Sequence, residues 1–415
     1  MFQVQGQSRA IAQLQRAIAA QRLGHTWIFA GPPGVGKFSL AVALAKTMLC
    51  DRPLTVPNQT AAAPHLPQLD PDFPIRIPCD VCDSCRAIDS GNHPDLHIIT
   101  KELIRFHDKG GKSKGTTLSI QVIRGEITGS DDPGHRVEPK IYKRSFRGRG
   151  KWFIIDEADL MEIPAQNSLL KTLEEPPPES YLVMITTSPQ ELLQTIRSRS
   201  QIVLFNELPP NVIVQRLIAQ GLANNDANLI ARLSHGSLGR ALRWAKDMAT
   251  IAEKNAAAAA HKSAKSDDDD EPRFTPRGIL GWTQKLTAAL DNLITHQSGG
   301  THVAAALAEL SAEYAELELL RDPLTSKDRA ARDGIAVLLG IVADYLDDRL
   351  RHAVGTAHAS PLPSAVAGLS PDIIRPMLAA AREAETQVDM NVHTGILLAA
   401  TCTRWEELLA TGQPA

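Results

Sequence analysis

The sequence predicts an α/β fold, with a parallel-sheet domain in the first half of the chain and an all-helical remainder. Three observations carry this expectation. The apolar stretch Trp27-Ile28-Phe29-Ala30 runs into Gly31-Pro32-Pro33-Gly34-Val35-Gly36-Lys37 and then into a helical pattern. A second apolar stretch, Lys151-Trp152-Phe153-Ile154-Ile155, ends in Asp156-Glu157. After residue 278 apolar positions recur at helical spacing with no strand signal, as in Val303, Leu307 and Leu310.

The first stretch is a strand entering a Gly-x-x-x-x-Gly-Lys turn, the phosphate-cradling P-loop pattern. Its glycines let successive backbone N–H groups face a polyphosphate. The N-terminus of the helix expected over 40–49 adds a favourable dipole, and Lys37 adds a point charge. Gly31, Pro32, Pro33, Gly34, Val35, Gly36 and Lys37 are therefore candidate polyphosphate-binding residues, with Phe38 and Ser39 in the turn that follows. The hydroxyl that ordinarily follows the lysine and holds Mg²⁺ is replaced by Phe38. Ser39 comes one residue late, rotated by roughly 100° around the helix. Mg²⁺ coordination is thereby put in doubt, and binding survives the change better than hydrolysis. Asp156 and Glu157 lie where a strand's C-terminal end meets ligand in open parallel sheets, one acid placed for a metal and the other for an attacking water.

At 415 residues the chain is too long for one core and implies two or three domains of about 100–200 residues each. Hydrophobic content of 43% with 22% charge is ordinary for a soluble protein, and a net charge of −3 gives no global pull towards nucleic acid. No apolar run reaches the roughly 18 residues of a membrane span, and no cleavable signal pattern opens the chain, so a cytoplasmic protein with no membrane partner is expected. Five cysteines are few for a disulfide scaffold. In a reducing compartment, clustered thiols hold metal.

Taken in order, Gly6-Gln7-Ser8-Arg9 precedes a helix with Ile11, Leu14, Ala17 and Ile18 on one face. The turn before it lies where it can cover a bound base. Residues 51–78 are rich in Pro and Ala, lack a period, and read as an inserted loop. Cys79-Asp80-Val81-Cys82-Asp83-Ser84-Cys85 then offers three thiols on one knuckle, with Cys50 available as the fourth ligand of a structural, tetrahedral Zn²⁺, although 28 residues lie between Cys50 and Cys79. His93 reads as a further possible ligand or as a local hydrogen-bonding residue. Residues 128–150 form a second insertion, preceded by a helix near 120–127. Its basic run, Lys140, Lys143, Arg144, Arg147, Arg149 and Lys151, reads as a solvated loop for want of an aromatic platform. A helix over 164–173 stops at Pro176-Pro177-Pro178. A buried strand over 181–185 leads to Thr186-Thr187, and Arg197 and Arg199 precede a strand over 201–205. Helices over 209–250 and an Ala- and Asp-rich linker over 251–277, expected to be mobile, come before the final helical region.

With the P-loop, the cysteine knuckle, His93-Pro94-Asp95, Asp156-Glu157-Ala158-Asp159, Leu169-Leu170-Lys171-Thr172-Leu173-Glu174-Glu175-Pro176 and Ser198-Arg199 in this order, the chain resembles the bacterial DNA polymerase III clamp-loader family. It looks delta-prime-like and related to gamma/tau, well over residues 1 to about 250 and weakly beyond, through Asn391-Val392. The resemblance implies an AAA+ P-loop domain over 1–207 with an embedded zinc module at about 50–97, a helical lid over 208–250, and a helical collar over 278–415 that joins subunits. It assigns ATP to residues 31–37, the Walker B acids to Asp156 and Glu157, a polar sensor to Thr187, and a trans-acting arginine finger to Arg199. In the motor subunits' lid motif, Gly-Ser-x-Arg, the arginine position is here Gly239, with Arg240 one later.

The resemblance thus implies an accessory subunit that works with gamma/tau and delta subunits in a hetero-pentamer, with a sliding clamp and primed DNA as further partners, and with weak or absent ATPase activity of its own. The alternative it leaves open is a gamma/tau-like motor that hydrolyses ATP. The residue after Lys37 counts against that alternative.

Overall fold

In the computed structural model the two apolar runs lie in one parallel sheet, as their continuous burial requires. The structure describes residues 4–58, 66–107, 117–132, 135–262, 278–321, 325–355, 369–388 and 392–411. It divides into two compact units, Met1–Val212 with Gly236–Gly239, and Ile213–His235 with Arg240–Ala415.

The first unit contains α1 (Ser8–Ala19), β1 (Thr26–Ala30), α2 (Lys37–Leu49), β2 (Leu54–Pro57), β3 (Pro74–Ile77), α3 (Asp83–Asp89), β4 (Leu96–Ile99), α4 (Ile104–His107), α5 (Ile120–Ile123), β5 (Ser130–Asp132), β6 (His135–Val137), β7 (Lys151–Ile155), α6 (Ile163–Glu174), β8 (Ser180–Thr186), α7 (Gln194–Arg197) and β9 (Gln201–Leu204). Five strands pair in the order β4-β7-β8-β1-β9, all parallel. Every residue of β1 and β7 is buried, which is why their sequences show no alternation: helices cover both faces of such a sheet. Phe153, Ile155, Met184 and Ile28 meet Leu169 and Val122 in one core cluster. β8 lies between β1 and β7, with Ala30 beside Thr186 and Ile155 beside Met184. The register therefore brings the loops after β1, β7 and β8 to one edge, where Asp156 follows β7 and Thr187 follows β8.

One expectation changes here, and one strand was not foreseen. The segment 51–78 is not irregular at its ends: β2 and β3 pair antiparallel, Leu54 opposite Ile77. The short strand β4 carries no sequence signal of its own, because it is four residues long and, in the sheet order, borders β7 alone.

The second unit is helical throughout its described residues. It holds most of α8 (Pro210–Ile218), α9 (Asn224–Leu233), most of α10 (Leu238–Lys262), α11 (Gly278–Ile294), α12 (Gly300–Arg321), α13 (Lys327–Ala353), α14 (Pro371–Val388) and α15 (Thr394–Thr411). α12, α13, α14 and α15 pack each on the next and α15 back on α12, a four-helix arrangement. Trp405 is fully buried there and its indole N–H donates to the Met377 carbonyl at 3.0 Å. α9 is tied to α13 by an Arg232–Asp348 ion pair, and His235, just after α9, has its Nε2 3.1 Å from Asp344 Oδ2. The expected linker begins later than its composition implied. α10 runs to Lys262, because the alanines over 256–260 are the strongest helix formers rather than a break. Residues 263–277 and Asn391 lie outside the described residues.

Candidate nucleotide site and cysteine cluster

The turn between β1 and α2 has the backbone its glycines predict. Gly31, Gly34 and Gly36 have φ of 150°, 71° and 100°. A Cβ on Gly31 would stand 2.3 Å from the Phe205 carbonyl oxygen, and one on Gly36 would stand 2.9 Å from Val4 Cγ1, so neither position accepts a side chain. Gln7, buried ahead of α1, donates to the carbonyls of Val35 at 3.3 Å and Asn206 at 2.7 Å, which anchors the N-terminal turn on the loop. Nothing in the sequence around Gln7 flagged that role except a polar residue just before an amphipathic helix.

Lys37 opens α2 and is buried, its ammonium donating to the carbonyls of Gly31 at 2.5 Å and Pro32 at 2.6 Å. Burial pushes its pKa down to about 8, against the attraction of Asp156 and Asp159. Burial raises the pKa of Asp156, whose Oδ1 accepts from the Glu157 amide at 3.0 Å. Glu157 has a left-handed backbone, φ 48°, and its carboxylate is ion-paired with the buried Lys101. Thr187 is held by Asp159, which accepts from its amide at 3.2 Å and its hydroxyl at 3.3 Å. Lys37, Asp156 and Thr187 are thus brought to one sheet edge as expected. Lys101 was not foreseen, since it lies just after the strand that sequence reasoning missed.

Phe38 and Ser39 are both exposed on the first turn of α2. Arg199 has partners outside the loop: its guanidinium donates to Glu174 Oε1 at 2.9 Å and to the Thr195 carbonyl at 3.1 Å. Gly239 donates its amide to the Gly34 carbonyl at 2.8 Å, and a Cβ there would come within 3.1 Å of the same oxygen. The glycine at that position lets α10 begin against the phosphate loop. The narrow cradle, the lysine and the helix N-terminus fit a polyphosphate.

The cysteines converge as well. The sulfur atoms of Cys50, Cys79, Cys82 and Cys85 lie within 4.8 Å of one another, Cys50 being 3.5 Å from Cys79 and 3.8 Å from Cys82. Sulfurs about 2.3 Å from a tetrahedral zinc are about 3.8 Å apart, so the four thiols fit that ion. The β2–β3 hairpin closes the gap between Cys50 and Cys79. Burial raises the Cys50 and Cys85 thiols, whereas backbone N–H donation, first from Val81, lowers Cys79 to about 6. His93 is not among these four. Its Nε2 lies 3.4 Å from Ser84 Oγ and its Nδ1 accepts from the Asp95 amide at 3.1 Å, so it is the local hydrogen-bonding residue.

Comparison with known proteins agrees with this architecture. Residues 6–209 match the protein family described as DNA polymerase III, delta subunit. DNA polymerase III subunit delta' of Bacillus subtilis is 32% identical over 55% of this chain and 56% of its own. The Escherichia coli subunit delta' is 29% identical over 55% and 57%. DNA polymerase III subunit gamma/tau of Mycobacterium tuberculosis is 28% identical over 57% of this chain and 34% of its own. The chain therefore spans just over half the length of the delta' relatives it matches and a third of the gamma/tau relative. No described helix is long and apolar enough to cross a membrane. Over residues 6–209 the chain is similar to the DNA polymerase III delta-subunit family, and both delta' and gamma/tau subunits are among its relatives.

Proposed function

We propose that the chain is a delta-prime-like subunit of the DNA polymerase III clamp loader, which helps place a sliding clamp on primed DNA, binds ATP with little or no hydrolysis, and supplies Arg199 to a neighbouring subunit. What carries this reading is the family match over 6–209 together with a loop that keeps its cradle while Phe38 replaces the metal-holding hydroxyl. In it, loop amides and Lys37 hold the phosphates. The Glu157 carboxylate is engaged by Lys101. Gly239 offers no cation. Losing these groups removes stabilisation of the transition state more than of bound nucleotide. Arg199, partly exposed and held by Glu174, is free to exchange that exposed partner for an anion on an adjacent subunit at small cost. The four cysteines would hold a structural zinc, since four thiolates leave no open position for water. Gamma/tau and delta subunits are the expected partners.

The gamma/tau-like motor remains the competing reading, favoured by the intact Gly31 to Lys37 pattern and the gamma/tau relative. Mixing the purified chain with the other clamp-loader subunits separates the two. Arg199→Ala should assemble normally yet slow the complex's ATPase, by up to about 10³-fold, the size of effect that arginine fingers have. Unchanged turnover in an assembled complex, or vigorous ATPase from this chain alone that Lys37→Ala abolishes, would reverse the assignment.

A further inference from the structure

The loop that enters β7 displays side chains that neither the phosphate site nor the cysteine cluster uses. From Lys140 to Lys151 there are six basic residues and no acidic one. The reading of this run as a solvated loop rested on a missing aromatic platform, yet the run itself contains Tyr142 and Phe146. Tyr142 is 50% exposed and Phe146 is 82% exposed, with Lys143, Arg144, Arg147 and Arg149 exposed around them.

The loop is not a slack connection whose aromatics happen to face water. Ile141 is buried in the core, and its carbonyl accepts from Ser180 Oγ at 3.2 Å. The fully buried Asp95 carboxylate accepts from the amides of Phe146 at 2.7 Å and Arg147 at 2.9 Å. Arg149 donates to the Asp51 carbonyl at 2.8 Å, and Gly150, φ 85°, packs where a Cβ would meet the Glu179 carbonyl oxygen at 2.5 Å. A buried acid that spends both oxygens on two successive loop amides fixes the backbone from which Phe146 projects. An apolar ring so held outside the core is available for contact at little further ordering cost.

Charge singles out the occupant. Lys143 pairs with Glu138 and Arg147 with Asp51, but Arg144 has no carboxylate partner among the described residues, and Arg149 is bound through a neutral carbonyl that leaves its charge uncompensated. Rings that stack on bases, set among cations that meet phosphates, suit unpaired nucleotides, whose faces are open, and not a duplex, whose faces are covered. We propose that the loop over 140–149 is a binding site for single-stranded nucleic acid, with Tyr142 and Phe146 stacking on bases and Arg144, Arg147 and Arg149 meeting the backbone. It lies at the N-terminal edge of the sheet, the opposite edge from the phosphate loop, and does not rest on the role proposed above for the nucleotide site.

The test is fluorescence anisotropy of a labelled oligothymidylate with the full chain, at low and at physiological salt. Phe146→Ala and Tyr142→Ala should each weaken binding about tenfold, and Phe146→Trp should retain it. Arg144→Ala should lower the salt slope by about 0.7. Because Phe146 and Arg144 are exposed, these variants should melt as the wild type does, so their readout stands even if Tyr142→Ala unfolds. Affinity unaffected by Phe146→Ala, equal affinity for blunt duplex, or displacement of the oligonucleotide by polyglutamate with the aromatic substitutions silent would overturn the proposal; the last outcome would make the loop an acidic-peptide site.

Discussion

Lys37 allows the phosphate loop to be tested without reference to any partner. Burial lowers its pKa from the ordinary 10.5 to about 8. A displacement of that size corresponds to about 3 kcal/mol of folding free energy at pH values where the lysine is protonated in both states. The sign follows from proton counting. Below about pH 8 folded and unfolded chains both carry the proton, and the folded state bears the full penalty of burying it. Between about 8 and 10.5 the folded lysine has lost its proton while the unfolded one keeps it, so the unfolded state binds more protons and stability rises with pH, by about 1.4 kcal/mol per unit. Lys37→Met removes this titration while keeping most of the volume. In urea unfolding without nucleotide, the difference between wild type and Lys37→Met should shift in favour of wild type by about 3 kcal/mol from pH 7 to 10.5. Parallel profiles would show that the ammonium is not buried as the structure has it. A bound polyphosphate adds anionic charge beside Lys37 beyond that of Asp156 and Asp159. If bound phosphate keeps Lys37 protonated, affinity for ATP should fall about 25-fold between pH 7.5 and 9.5, the ratio set by the free lysine's protonated fraction. Affinity flat across that range would mean that Lys37 does not meet the phosphates.

Three further outcomes are expected. Elemental analysis should find one zinc per chain, lost in a Cys82→Ser/Cys85→Ser double variant; metal-free wild type, or full retention in the variant, would exclude the site. Lys101→Ala should lower stability by no more than about 1 kcal/mol in thermal melts, because Glu157 remains partly exposed and can be hydrated; a loss of more than about 3 kcal/mol would mean a truly buried pair. Phe38→Thr should strengthen Mg²⁺-dependent ATP binding measured by titration, with turnover still low; equal binding with and without Mg²⁺ in that variant would show that the missing hydroxyl is not the deficit.

What could be read from the sequence was local. β1 and β7 announce themselves because strands buried on both faces are unbroken apolar runs, and three cysteines in seven residues define their own knuckle. Cys50 was placed with them by elimination. Only the β2–β3 pairing, invisible in a Pro- and Ala-rich segment, shows how it reaches them. Contacts set by the fold were illegible: Lys101 finds Glu157 because β4 lies beside β7, and Gln7 finds Val35 because α1 is anchored next to the loop. Tyr142 and Phe146 were visible as letters, but an aromatic residue in a loop is as often buried as displayed. It is the Asp95 clamp that decides between them.

Phe38, Gly239 and the Lys101–Glu157 pair are separate in sequence, yet all bear on the same phosphate loop. None of them alters its shape: Gly31 and Gly36 keep the left-handed turn, and Lys37 stays beneath it. On the reading proposed above, Phe38 and Gly239 each stand where a group acting on a reacting phosphate would be, a metal ligand and a cation. Gly239 also packs closely, its N–H donating to the Gly34 carbonyl where a Cβ would stand 3.2 Å from Gly34 Cα. A side chain there would need the Gly34 backbone to give by a few tenths of an ångström. On that same reading, a site altered in this pattern favours holding nucleotide over turning it over, the division of labour proposed for a subunit that offers Arg199 to its neighbour.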